Sequence, residues 1–163
     1  MAKDRGARRG LEVVFPGQKK SLPIECVVFD FNGTLAVDGK LVRGVAARIA
    51  KLATLAEVVV MTADTFGTAR HALADLPVTM KVVNDGADKR NYVLSVDRET
   101  CVAVGNGVND VPMLAAAALG IAVCGREGAA AEALRVATIV VRDVNDAIDL
   151  LLKPKRLVAT LRW

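Results

Sequence analysis

The sequence predicts one α/β domain, a doubly wound parallel sheet with helices on both faces. Three observations carry this. Apolar, β-branched runs recur as unbroken blocks (Val27–Phe29, Val58–Val60, Val102–Val104), the composition of strands buried on both faces. Segments with apolar residues at helical spacing alternate with them. No repeat, linker or composition break divides the 163 residues, a length that gives one domain a substantial core.

Taken in order, Met1–Gly10 is expected to be disordered. Leu11–Phe15 alternates before Pro16-Gly17 and suits a short edge strand. Ile24–Asp30 is the first central strand. Asp38-Gly39, flanked by Val37 and Leu41, signals a hairpin. Val45, Ile49, Leu52 and Ala56 share one face, predicting a helix over Val45–Leu55. Glu57–Met61 is the second strand, and a helix carrying Phe66, Ala69, Leu73 and Leu76 follows. Val78–Val83 is the third strand, and Asp88 is the expected cap of a helix through Val96. Cys101–Val104, Gly120–Cys124 and Thr138–Val141 are strands four to six. Helices are predicted over Asp110–Ala118, with Pro112 in the first turn, and near Glu127–Leu134. Val144, Ala147, Ile148, Leu151 and Leu152 form the last stripe, capped by Asp143 and ended by Pro154. The predicted organisation is a basic segment over 1–20, a core domain over 21–154 and a tail over 155–163 that docks or dangles.

Charge and cysteine usage narrow the function classes. The net charge is +4. Residues 1–20 alone supply it, with Lys3, Arg5, Arg8, Arg9, Lys19 and Lys20 against Asp4 and Glu12. The remainder is neutral, so the basic stripe with stacking aromatics that a nucleic-acid partner requires is missing. The longest apolar run, around Met113–Cys124, is too short for a membrane span and contains Gly120. The basic N-terminus has no apolar stretch behind it, unlike a secretory signal. Cys26, Cys101 and Cys124 have neither metal-ligand spacing nor an even count. Reduced thiols in a cytoplasm are the expectation.

Polar residues mark the strand ends. Val27–Leu35 (VVFDFNGTL) runs an apolar strand into Asp30 and then a glycine turn. Asp30 reads either as a carboxylate delivered to a ligand site or as a cap for the local turn. Strand two ends in Thr62 and Asp64, Lys89 starts the helix after strand three, and strand four runs into Asn106, Asn109 and Asp110. In a doubly wound sheet these ends converge on one crevice. A carboxylate, a hydroxyl, an ammonium and metal-binding oxygens suit phosphoryl transfer, which requires neutralised charge and aligned oxygens. Thr62 also reads as a strand-end cap, Asn109 as a helix cap, and Lys81 or Arg90 could stand in for Lys89. His71, Arg156 and Arg162 read as surface residues.

In order, DFNGTL, VVVMTAD, DK and VGNGVNDVPML resemble the four motifs of the haloacid dehalogenase superfamily. The last two are especially similar to the phosphorylation domain of P-type ATPases. The nearest pattern is that of soluble P-type ATPase-like phosphatases, and it covers Ile24 to Leu152. The resemblance implies a Rossmann-like core of that type. It implies Asp30 as a nucleophile that becomes an aspartyl phosphate. Thr62 would bind the transferring phosphoryl oxygens, and Lys89 would hold Asp30 and phosphate together. Mg²⁺ would be held by Asp110, Asp30, the main-chain carbonyl of Asn32 and Asn106. Gly33, Ala63, Asp64 and Asn109 would support the phosphate site.

Two departures bear on turnover. Asn32 stands where the superfamily usually has a second aspartate that protonates the leaving group, a contribution on the order of 10²–10⁴-fold. Asn106 stands where it usually has a metal-ligating aspartate. Asp30 and Asp110 against Lys89 leave the inner site at −1 rather than −3, so weaker Mg²⁺ binding follows. No cap domain fits between the motifs, so the core either accepts large substrates or is covered by another subunit. A homo-oligomer joined through the Val37–Leu41 hairpin is expected. The implied function is a slow Mg²⁺-dependent phosphatase acting on a phosphorylated small molecule or phosphoprotein. The rival is a non-catalytic module that binds phosphate or a protein partner.

Overall fold

The computed structural model describes residues 10–17, 20–64 and 67–162. The expectations for residues 1–9, for Phe66 and for most of the basic segment lie outside them. The elements are β1 (Leu11–Val14), β2 (Ser21–Ile24), β3 (Cys26–Asp30), β4 (Ala36–Val37), β5 (Lys40–Leu41), α1 (Val45–Leu52) and β6 (Glu57–Thr62). Then come α2 (Thr68–Leu73), β7 (Thr79–Val82), α3 (Gly86–Val96), β8 (Cys101–Gly105), α4 (Val111–Ala116) and β9 (Leu119–Val123). The chain ends with α5 (Ala131–Val136), β10 (Ile139–Val141), α6 (Val144–Leu152) and α7 (Pro154–Leu161).

Six strands form the main sheet in the order β10-β9-β8-β3-β6-β7. Every neighbouring pair is parallel. These are the six strands read from the sequence, and the predicted doubly wound class holds. Alternation along each strand splits the core in two. Val27 and Phe29 of β3 join Val58, Val60, Val102 and Val104 in one layer, against Ile49 of α1, Leu73 of α2 and Ile148 of α6. Cys26 and Val28 point the other way, with Val59, Met61, Cys101 and Ala103, against Val93 of α3, Met113 and Leu114 of α4 and Ala133 of α5. A period of two in the strands thus builds both faces.

Three expectations change. The first strand is broken at Glu25. Ser21–Ile24 pairs antiparallel with Leu11–Val14 in a ribbon of its own, and only Cys26–Asp30 enters the sheet. Pro23 lacks the amide that a central ladder requires, so its segment is excluded from the interior of the sheet. The helix after β7 begins earlier than expected: Asp85 is its cap and accepts the amide of Asp88 at 3.0 Å. Asp88 reaches back to the amide of Asn84 at 2.8 Å, the reciprocal use of two acidic residues three apart. Finally, the tail forms a helix that the sequence pattern does not announce: α7 begins at Pro154, and its Leu157 is fully buried in the layer that holds α1 and α6.

Candidate active site

The chain leaves β3 for β6 and β7 on one side, then returns to β8 on the other. The strand order therefore reverses beside β3, where a crevice opens at the carboxyl ends. Asp30 ends β3. Its parity continues that of Cys26 and Val28, so its side chain lies on the α3 side of the sheet. Lys89, a turn into α3, meets it there.

The Lys89 ammonium donates to Asp30 Oδ1 at 2.7 Å and to Asp110 Oδ1 at 2.6 Å. All three residues are buried, with 1% of Lys89, 7% of Asp30 and none of Asp110 exposed. Lys89, and neither of its alternatives, lies between the two carboxylates. Lys81 lies over the Tyr92 ring at 4.9 Å, and Arg90 is exposed. Burial opposes the charge on Lys89, but Asp30 and Asp110 outweigh it and raise its pKa. Burial, then the Asp110 carboxylate, push the Asp30 carboxyl from 3.8 up to about 6 against the pull of Lys89.

That raised value has a defined sign. The native state holds the Asp30 proton more tightly than the unfolded chain, so this group favours folding most below about pH 4. The benefit is lost as pH rises through about 6. In denaturant titrations of metal-free protein, Asp30→Asn is expected to lose less stability than wild type between pH 4 and 6. Parallel curves across that window would refute the assignment.

Asp110 is positioned by its own turn. Its Oδ2 accepts the amides of Asn106 and Gly107, both at 2.9 Å. A Cβ at Gly105 would lie 2.6 Å from the Asp110 side chain, so the strand must end in glycine for the carboxylate to fold back. Asn106 is clamped as well: its side-chain amide donates to Gly128 O at 3.1 Å and its main-chain carbonyl accepts from the Ala130 amide at 2.8 Å. Thr34, 2% exposed, places its hydroxyl 3.4 Å from Asp30 Oδ2 and 3.2 Å from Asn106 Oδ1. Gly33 adopts φ +77°, and a Cβ there would collide with the Asn106 amide. Gly33→Ala is predicted to cost roughly 1–3 kcal/mol, from both the backbone and the displaced Asn106. Urea unfolding of the variant measures this.

Residues 55–148 match the model of the haloacid dehalogenase-like hydrolases. The chain belongs to that family. It is 52% identical over 61 residues to an uncharacterized protein of Methanocaldococcus jannaschii, a match spanning 37% of this chain and 66% of that protein. Its fold is similar to the cobalt-bound deoxy-D-mannose-octulosonate 8-phosphate phosphatase of Haemophilus influenzae, at TM-score 0.68 and 16% identity over 86% of this chain and 94% of that one. The corresponding phosphatase of Moraxella catarrhalis, solved with magnesium, phosphate and KDO, gives TM-score 0.65 and 15% identity, covering 85% and 94%. A zinc-transporting PIB-type ATPase gives TM-score 0.61 and 27% identity over 74% of this chain and 20% of that one.

Against the family's motifs, the remaining expected residues separate. Thr62 is buried at the end of β6, one position past the Met61 that pairs with Asp30, and its hydroxyl accepts the amide of Asp64 at 3.2 Å. Asp64 caps α2, accepting the amides of Ala69 at 2.7 Å and Arg70 at 3.4 Å. Both its oxygens are occupied, so it organises the turn. Ala63 and Asn32 line a small cleft with Asp64, and both are exposed. Asn109 is exposed, and among the described residues its side chain bonds neither to the cluster nor to a helix end. His71, Arg156 and Arg162 lie on the surface as expected. Sequence reasoning misses Thr34, although the threonine of the Asp-x-x-Gly-Thr pattern carries the signal.

The donor set suits a hard divalent cation. Asp30 Oδ2 and Asn106 Oδ1 both lie against the Thr34 hydroxyl, and the site carries one net negative charge. No group of three His, Cys, Asp or Glu gathers among the described residues, so the oxygens at hand are those of Asp30, Asn106 and Thr34. No helix among them is long and apolar enough to cross a membrane.

Proposed function

We propose that the chain is an Mg²⁺-dependent phosphohydrolase that works through an aspartyl phosphate at Asp30. The observation that carries it is Lys89, buried between Asp30 and Asp110 at 2.7 and 2.6 Å. Lys89 pulls Asp30 towards its ionised form against burial and the Asp110 charge, and it orients the nucleophile with a cation ready for the incoming phosphoryl charge. Asp30 Oδ2, the oxygen not held by Lys89, is the attacking atom. It bonds to phosphorus as the bond to the leaving oxygen breaks, and water later hydrolyses the acyl phosphate. Thr62, with its proton free to donate, and the Ala63 amide take up phosphoryl oxygens. Asp30, the Asn32 carbonyl and Asn106 would hold Mg²⁺, which neutralises phosphoryl charge. Asp110, whose oxygens take Lys89 and two turn amides as those of Asp30 take Lys89 and Thr34, would add its carboxylate to that set and fix Lys89. The substrate is a phosphorylated small molecule.

Asn32 and Asn106 favour a second reading, a phosphate-binding module that no longer turns over. Hydrolysis of p-nitrophenyl phosphate with Mg²⁺ separates the two. Asp30→Asn is expected to lose all activity above background. Equal rates for variant and wild type would end the catalytic reading.

A further inference from the structure

We propose that the substrate's leaving group carries a second negative charge, bound in the cleft beside Thr34 by Arg126 and Arg142. The proposal rests on the phosphatase reading above and names the substrate class for it. The cleft encloses about 560 Å³, the size of a small-molecule site. It begins at Gly33 and Thr34, and the Thr34 hydroxyl is 3.4 Å from Asp30 Oδ2, so the cleft and the reaction centre share a wall.

One wall is the Val37–Leu41 hairpin and its exit through Arg43; the other is made by the loops after β9 and β10. Four cations line it, Lys40, Arg43, Arg126 and Arg142, against Asp38 and Asp143, a net of +2. Asp143 is engaged in capping α6, accepting the Asn145 amide at 2.7 Å. The ion pairs of the described residues use Arg48, Lys89, Arg98, Arg135 and Lys153 instead. The four cleft cations thus have no carboxylate within 4.0 Å among the described residues. Arg126 is tied to the reaction centre, because Asn106 holds its loop at Gly128 and Ala130. Arginine pairs suit carboxylate or phosphate through their planar fork. No aromatic ring lines the cleft among the described residues, so a nucleobase has no stacking platform. The fitting substrate is a short phosphomonoester that also bears a carboxylate or a second phosphate.

Calorimetry on Asp30→Asn protein with Mg²⁺ tests this without turnover. The probes are glycerol 3-phosphate against 3-phosphoglycerate, and fructose 6-phosphate against fructose 1,6-bisphosphate. In at least one pair the doubly charged ligand should bind about tenfold tighter or more. Which pair shows it tells carboxylate from phosphate. Adding Arg126→Gln with Arg142→Gln should abolish the preference, whereas Lys155→Gln with Arg156→Gln, equal in charge and on the exposed face of α7, should keep it. Equal affinities within both pairs, no detectable binding of any probe, or a preference that survives the arginine substitutions would overturn the proposal. Failure of the phosphatase reading appears elsewhere, as equal hydrolysis by wild type and Asp30→Asn.

Discussion

Asn32→Asp is expected to raise kcat for p-nitrophenyl phosphate by on the order of 10²–10⁴-fold, the usual contribution of a positioned general acid–base. Asn32 lies two residues past Asp30, the proposed nucleophile, on the turn that follows β3, and it is exposed. A carboxyl group there can reach both the leaving oxygen and an attacking water. Asp64, the acid that lines the same small cleft, does not substitute for it, since both its oxygens are bound by the amides of Ala69 and Arg70. Wild type should form the aspartyl phosphate and release it slowly, so acid-quenched protein is expected to carry covalent phosphate that the variant does not accumulate. Equal kcat in the two proteins would show that another group moves the proton. The Asn32-Gly33 step is also the form most prone to deamidation. Aged protein that gains activity should therefore show conversion at Asn32 in peptide maps. The amides that succinimide formation needs are both engaged, that of Gly33 by Ala36 O at 2.8 Å and that of Gly107 by Asp110 Oδ2 at 2.9 Å, so conversion at either site should be slow in the native state.

The second large effect concerns Lys89. Lys89→Met keeps the unbranched apolar stem of the side chain but removes the cation between two buried carboxylates. Breaking a buried ionic cluster by removing one partner costs about 3–5 kcal/mol. Urea denaturation at pH 7 is expected to show a loss of that size, together with loss of activity. The loss should shrink on acidification towards pH 5, because the Asp30 carboxyl already titrates near 6 and protonation relieves its repulsion with Asp110. Added Mg²⁺ should recover part of the stability at pH 7, as it replaces the missing positive charge. A penalty below about 1 kcal/mol at pH 7 would mean that water reaches the carboxylates and the cluster is not buried.

The sheet was legible because its signal is local. Six buried strands are six short aliphatic runs, and the helix stripes of α1 and α6 repeat at their own period. Asp30, Thr62, Lys89 and Asp110 were legible for a related reason: each sits at a strand or helix end, where topology sends it to one crevice. Their residue types suit phosphoryl transfer, and the individual roles expected of them come from the resemblance of their motifs to a known superfamily. The boundary at Glu25 and the exact helix start at Asp85 were not legible. Each depended on a choice between two locally acceptable residues, settled by which backbone groups find partners in three dimensions.

What the sequence determined by itself is the fold class, the order of the strand-end residues and the two asparagines at which this chain departs from its family. What only the tertiary structure decided is which side chains meet. It sets Lys89, and neither Lys81 nor Arg90, between Asp30 and Asp110, brings Thr34 beside Asp30 and Asn106, and has Asp64 accept the first amides of α2. It also gathered Arg43, Arg126 and Arg142 from three separate loops into one cleft. The physical reason is the same in each case. Secondary structure follows from periodicity along the chain, whereas charge pairing and desolvation depend on distances between segments that are remote in sequence.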